Sequence, residues 1–455
     1  MSTRVWWLRR DLRVADHPAL LAAADGGAVV PLFVLDPALW AAAGAPRQAR
    51  LLASLRSLDA DLRDRYAVSL VVRVGSPLTV VPALATEVGA VAVHVTAETT
   101  PYGRRRDTAV RAALNAQGRE LVATGTAYAI GPGTVRTGGG TPYRVFTPFA
   151  RAWRALGAPG PAPAPSRLIG LRAVPSDDLP LVESSGVAAE GVVAGESAAR
   201  VRWEEFLRDG VADYGERRDR PDLDGTSRLS AALKFGEVHP RTLLAELGRS
   251  PAAGSPGATT FVTELAWREF YADVLWHHPA SAWSDLRPMA GMVYDEPSAG
   301  FEAWRAGRTG FPFVDAGMRQ LAATGWMHNR VRMVTASFLV KDLHVWWPHG
   351  ARHFMALLAD GDLASNSHGW QWCAGTGTDA APYFRVFNPV GQGLRFDPDG
   401  AYVRRWVPEL AHLPGAAAHE PWRHPQGYAA GYPTRIVDHA VEREEALRRY
   451  AATRT

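Results

Sequence analysis

The sequence predicts an α/β N-terminal domain, a doubly wound parallel sheet, followed by an all-α C-terminal domain. Up to residue 124, short β-branched or apolar runs alternate with stretches of helical spacing. Beyond residue 199 the strand signal fades, and helical patterns broken by Gly and Pro take over. At 455 residues the chain is also too long for one ordinary core.

Taken in order, the candidate strands are 5–8, 29–35, 70–74, 91–96 and 120–124, with candidate helices at 18–24, 47–65, 79–88 and 104–117 between them. Such sheets bind ligands beyond the carboxyl ends of their strands. That nominates Arg9, Arg10 and Asp11, then Asp36 and Pro37, then 75–77, then Glu98. No G-x-G-x-x-G follows the first strand and no Walker loop occurs, so the dinucleotide fingerprint is missing. The glycine run 138–140 reads as loop. Residues 1–128 are therefore expected to form the α/β domain. Residues 129–199, rich in Pro, Gly and Ala, are expected to form an interdomain linker with some ordered pieces, and 200–455 the helical domain.

A hydrophobic content of 47% with 21% charged residues is that of a globular protein. The net charge is +4 and Lys234 and Lys341 are the only lysines, an arginine bias that is weak evidence for nucleic acid by itself. The sixteen tryptophans cluster toward the C-terminal half, which points to stacking or redox work there. A single cysteine, Cys373, rules out an intrachain disulfide framework and a Cys-rich metal site, and no metal is expected. No secretory leader and no apolar run of membrane-spanning length stand out, so a soluble, cytoplasmic protein is expected. With no heptad pattern, the expected state is a monomer.

The chemistry concentrates in a few stretches. DGDLASNSHGWQW (360–372) places two carboxylates, a carboxamide and two indoles within thirteen residues. If Asp360 and Asp362 are buried they need cations or strong donors, and WMHNRVRM (326–333) is the nearest rich source. There Trp326, Asn329, Arg330 and Met333 share one face by their i, i+3, i+4, i+7 spacing. In ELAWREF (264–270), an intrahelical Glu264–Arg268 pair would explain the charges but not Trp267. TSRLS (226–230), with Tyr214 upstream, reads alone as a Ser/Thr helix cap.

Together with WLRRDLR (7–13) and TGTDAAPYFRVFNP (376–389), these stretches resemble the photolyase and cryptochrome family over nearly the whole chain. The resemblance is closest to microbial class I cyclobutane pyrimidine dimer photolyases of the deazaflavin-antenna type. It implies that the helical domain binds FAD, used in its reduced form, through a phosphate loop of Thr226, Ser227, Arg228, Leu229 and Ser230 with Tyr214. It adds Phe261, which stands where tryptophan is common, and Glu264, Arg268, Trp326, Asn329, Arg332, Asp360, Asp362 and Asn366. Arg332 would pair with Asp360, Asp362 would lie near the flavin, and Asn366 would face flavin N5, where a neutral amide suits repair. Trp267 would stack on the flipped-out dimer, and Glu264 would hydrogen-bond it and share or supply a proton. Asn329 and Met333 would complete the catalytic set, while Arg218, Arg330, Trp372 and Arg385 would meet the lesion or its phosphates.

The resemblance further implies an electron-transfer row of Trp370, Trp347 and Tyr294, with tyrosine where the family expects tryptophan. An antenna chromophore is implied in the first domain. The Asn-Glu pair of folate-binding members is absent at 100–103, whereas Lys234 and LFVLDP (32–37) match deazaflavin-type members. The expectation is 8-hydroxy-5-deazaflavin near Arg10, Phe33, Val34, Glu98 and Lys234, with a folate (MTHF) as the alternative. The expected activity is light-driven repair of cyclobutane dimers in UV-damaged DNA. One histidine, His328, where (6-4) photolyases carry a pair, disfavours that lesion. Asn366 and the short helical 441–452 segment disfavour a signalling cryptochrome, and a flavin-free nucleic-acid binder is the remaining alternative.

Overall fold

Strand β1 (Ser2–Leu8) buries Val5, Trp6, Trp7 and Leu8, on both of its faces. Such a strand needs a neighbour at each edge and a helical layer on each face. Both are present in the computed structural model, which describes residues 2–171, 173–182, 192–378 and 384–453. Strands β2 (Gly27–Leu35), β3 (Val71–Val74), β4 (Ala90–Ala97) and β5 (Glu120–Thr126) join β1 in a parallel sheet of order β3-β2-β1-β4-β5. Trp7 pairs with Leu32 and Trp6 with His94. Helices Pro18–Ala24 and Ala45–Tyr66 meet Trp6, Phe33 and Leu35 on one face. Helices Pro77–Glu87 and Pro101–Asn115 meet Trp7, Val34 and Val93 on the other. Each of the four carries a proline in its first turn, where the missing N–H costs nothing.

The strand order reverses between β1 and β4, so Arg9, Arg10, Asp11 and Glu98 flank a crevice at the switch point. The edge strand is not left open. Val72 N–H donates to Ser176 Oγ at 2.9 Å, Val72 O accepts from Asp177 N–H at 2.9 Å, and Val74 N–H donates to Asp177 Oδ2 at 2.8 Å. Part of the Pro-rich connection is thus the sheet's border, and helix Phe146–Leu156 is another ordered piece of it.

Backbone proximity divides the chain into two units that interleave along the sequence: 1–143, 147–212 and 227–279, and then 144–146, 213–226 and 280–455. Residues 200–212 and 227–279, within the expected helical domain, group with the sheet for identifiable reasons. Leu12 N–H donates to Phe235 O at 3.0 Å, and Glu237, fully buried, receives Arg50 Nε at 3.0 Å.

The second unit is helical. Its core includes Trp304, Phe311, Phe313, Phe338, Trp347, Trp370 and Tyr402, from helices including Pro312–Thr324, Asn329–Lys341, Trp347–Leu357 and Leu363–Ala374. Buried Asp315 organises one corner by accepting Thr309 N–H at 2.7 Å, Gly310 N–H at 3.0 Å and Tyr432 O–H at 2.6 Å.

Candidate functional site

In the helical unit the two aspartates are indeed buried. Asp360 Oδ2 receives Arg332 Nη2 at 2.8 Å, while Arg332 Nε is held by Met327 O at 2.7 Å. Asp360 Oδ1 is buried with no hydrogen-bond partner among the described residues, so this carboxylate still has an acceptor to offer. Asp362 caps helix Leu363–Ala374, its Oδ1 accepting Ser365 N–H at 3.0 Å. One turn on, Asn366 donates Nδ2 to Ala351 O at 3.0 Å, which fixes the amide and leaves Oδ1 as its acceptor. The cluster is therefore rich in fixed acceptors, a good match for a ring system bearing N–H donors.

His328, not Trp326, begins the neighbouring helix: its Nδ1 accepts Arg330 N–H at 3.2 Å and helix Asn329–Lys341 starts after it. Trp326 therefore lies outside the helix, which corrects the expected shared face. Asn329 and Met333 do share one, with Nδ2 and Sδ 4.0 Å apart. Arg330 is engaged with Asp219 through Nε at 3.3 Å and Nη2 at 3.0 Å, and lies over Phe396. Arg385 is exposed, Trp372 is half-buried 6.5 Å from Phe387, and Arg218 lies over the buried Tyr214 ring at 5.7 Å. Thr226, half-buried, belongs to this unit. Trp370 and Trp347 are buried. Tyr294 is no open surface residue: its hydroxyl is buried with no partner among the described residues, and burial together with Asp285 pushes its pKa up.

In the sheet unit, Glu264, Trp267 and Arg268 lie on the long helix Pro256–His277. Trp267 is half-buried, against Phe270 and Tyr271. Arg268 donates Nη1 to Ala127 O at 3.2 Å and Nη2 to Leu233 O at 3.0 Å, and covers Tyr128, so it braces the end of the sheet. Phe261 stacks on Trp203 at 5.3 Å. Of the loop before helix Ser230–Phe235, Ser227 is half-buried, Leu229 buried and Ser230 exposed, and Arg228 sits at φ +54°. A non-glycine residue in the left-handed region costs about 1 kcal/mol and marks a loop whose shape is imposed.

Sequence reasoning missed Glu269. This buried carboxylate accepts the N–H groups of Ala129, Ile130 and Gly131 and Nε1 of Trp153, so it holds the chain leaving β5. Its partners are more than a hundred residues away, so no local pattern signals it.

At the switch-point crevice, burial alone would raise the pKa of Glu98, yet Arg10, Arg106 and Arg9 pull it down to about 2. Arg10 Nε donates to Lys234 O at 3.3 Å, which brings Lys234 to this corner. Gly236 nearby, at φ +68°, has no room for a side chain: a Cβ would lie 2.1 Å from Arg10 O. Phe33 and Val34 do not converge, because successive residues of β2 face opposite sides of the sheet. The expected antenna set therefore shares a sheet end but no single wall.

Comparison with known proteins gives a consistent picture. Residues 4–166 match the model of the DNA photolyase family, and 261–452 that of the FAD binding domain of DNA photolyase. A deoxyribodipyrimidine photo-lyase of Streptomyces griseus is 45% identical, over 97% of this chain and 98% of its own. A bacterial class III photolyase from Agrobacterium tumefaciens superposes with a TM-score of 0.92 at 35% identity, covering 100% of this chain and 98% of its own. An archaeal photolyase from Sulfolobus tokodaii, solved with two FAD molecules, does so with a TM-score of 0.86 at 29% identity, covering 99% and 100%.

Proposed function

Because the chain belongs to the DNA photolyase family, we propose that it uses light to split cyclobutane pyrimidine dimers in UV-damaged DNA, as a deoxyribodipyrimidine photo-lyase. The observation that carries this reading is the acceptor cluster of Asp360, Asp362 and Asn366, with its unpartnered Asp360 Oδ1, inside the segment matching an FAD binding domain. Reduced FAD, when bound, supplies an electron on absorbing blue light.

The protein's own residues hold, orient and exclude. Arg332 balances Asp360, so the cluster carries one net negative charge fewer than its two carboxylates imply. Asn366 presents a neutral carbonyl, oriented by its Nδ2 donating to Ala351 O, and adds no charge. Asn329, backed by Met333, offers an amide, and Trp267 a half-exposed indole for stacking on an extruded pyrimidine. Glu264, three residues before Trp267 on the same helix, is the group to hold a proton near a pyrimidine carbonyl.

The second chromophore is 8-hydroxy-5-deazaflavin in this reading. Support comes from Lys234, whose backbone carbonyl meets Arg10, and from the absence of the folate pair at 100–103. Chromophore extraction from protein made in a deazaflavin-producing host tests it; bound folate, or a second FAD, would replace it.

The repair reading is tested by incubating reduced protein with an oligonucleotide bearing one thymine dimer, under blue light and in darkness. Light-dependent return of intact thymines is expected. No return with FAD bound, but return on a (6-4) photoproduct, would change the substrate; no return on either would point to a photoreceptor.

A further inference from the structure

Asp285 gathers two indoles. Its Oδ1 accepts Nε1–H of Trp347 at 2.6 Å and Nε1–H of Trp346 at 3.4 Å, and the two rings stand 6.4 Å apart, inclined by 67°. Trp347 is fully buried; Trp346 is only half-buried. Three residues on from Trp347, Gly350 leaves its space to Trp370: a Cβ there would lie 2.2 Å from Trp370 Cη2. Trp370 therefore packs on the first turn of the helix that Trp347 begins, and Trp346 continues the series to a ring that solvent reaches.

Tyr294 offers a poorer end point. A phenol that gives up an electron must shed its proton with it, and the Tyr294 hydroxyl has no acceptor among the described residues. An oxidised indole can persist as a cation. A carboxylate on its N–H stabilises that charge and is placed to take the proton.

We propose that Asp285 is a positioning residue for electron supply, stabilising the positive charge on Trp347 and steering it to Trp346 instead of Tyr294. The inference rests on the photolyase reading, which requires reduced flavin. In each cycle one electron passes from Trp370 to the light-excited oxidised cofactor, one from Trp347 to Trp370 and one from Trp346 to Trp347. Two such cycles, with one proton taken from water, give the reduced form. An external thiol then returns one electron to Trp346, releases its proton to water, and pairs with a second oxidised thiol as a disulfide.

The test uses oxidised holoprotein under blue light with dithiothreitol, following flavin bleaching and indole-radical absorption. Trp346→Phe is expected to slow photoreduction about tenfold and Asp285→Asn about fivefold, with a shorter-lived indole cation, while Asp285→Glu recovers most of the rate. Tyr294→Phe should stay within about twofold of the parent. Illumination without thiol, followed by peptide mass spectrometry, should find oxygen adducts on Trp346. A tenfold loss in Tyr294→Phe, full-speed photoreduction in Trp346→Phe, or adducts on Tyr294 alone overturns the proposal, and the Trp346 and Tyr294 results decide it even if Asp285→Asn does not fold. Repair by dithionite-reduced parent protein is measured alongside. Its failure would overturn the repair reading and leave the electron route to be judged by the radical and adduct data.

Discussion

Asn366→Asp would set a carboxylate oxygen against Ala351 O, where the amide now donates at 3.0 Å. Two acceptors facing each other, the Ala351 carbonyl buried and the new carboxylate half-buried, should cost about 1–3 kcal/mol, and the added charge one turn from Asp362 should lower the repair rate. Thermal melting and dimer repair read the two effects separately; a variant unchanged in both would show that the amide's orientation does not matter. Arg332→Ala strips Asp360 of its cation and should cost about 3 kcal/mol in denaturant unfolding. Adding Asp360→Asn should restore at least half, because the uncompensated charge is the larger part of the loss. The choice of Arg332 rests on the family resemblance, but the segment that supplies the cation was legible from the residues, since two close aspartates expected inside demand one and few were near. The Trp326 face was not, because the helix start is decided by the His328 ring on Arg330 N–H, an unusual cap. Arg330 is held by Asp219, so Arg330→Ala should reduce the salt slope of damaged-DNA binding by less than about 1.

At the scale of elements, the strands and helices up to residue 126 lie within a few residues of their expected places, because continuous apolar runs for strands buried on both faces and 3.6-period burial for helices are both written locally. What was not legible is what the long helix Pro256–His277 does with its buried acids. Glu269 and Asp273 serve residues 129–133, and contacts across 140 positions leave no periodic trace. Asp273 has a testable consequence. Burial raises its pKa from 3.8 to about 6, although Gly133 N–H and Arg136 act to lower it. The unfolded carboxyl ionises first as pH rises, so the contribution of Asp273 to stability is greatest below about pH 4, falls through pH 6 and then levels off. Asp273→Asn keeps an oxygen for Gly133 N–H and has nothing to ionise. Its stability relative to the parent should therefore improve by about 2 kcal/mol between pH 4 and pH 7, measured by urea unfolding. A difference that does not vary with pH would mean that the buried carboxyl does not titrate as inferred.

For the whole molecule, the interleaving of the two units sets where the chain can be cut. A composition shift near residue 199 looks like a boundary, but composition records solvation and flexibility, not which segment a carboxylate later reaches. A fragment 1–199 would lack Glu237 for Arg50, His239 Nε2 for Thr126 O, and Glu269 for Ala129, Ile130, Gly131 and Trp153. Losing these bonds, together with the apolar surface that the missing segment covers, costs about 1–3 kcal/mol per bond, in sum comparable with the roughly 5–15 kcal/mol by which a domain is usually stable. A fragment 1–279 keeps every one of these bonds and carries only 144–146 and 213–226 of the other unit. We therefore expect 1–199 to show no cooperative thermal transition and 1–279 to show one with dispersed amide resonances. Cooperative melting of 1–199 would mean that the sheet and its flanking helices suffice, and that the acids of Pro256–His277 tune that layer without being needed to close it.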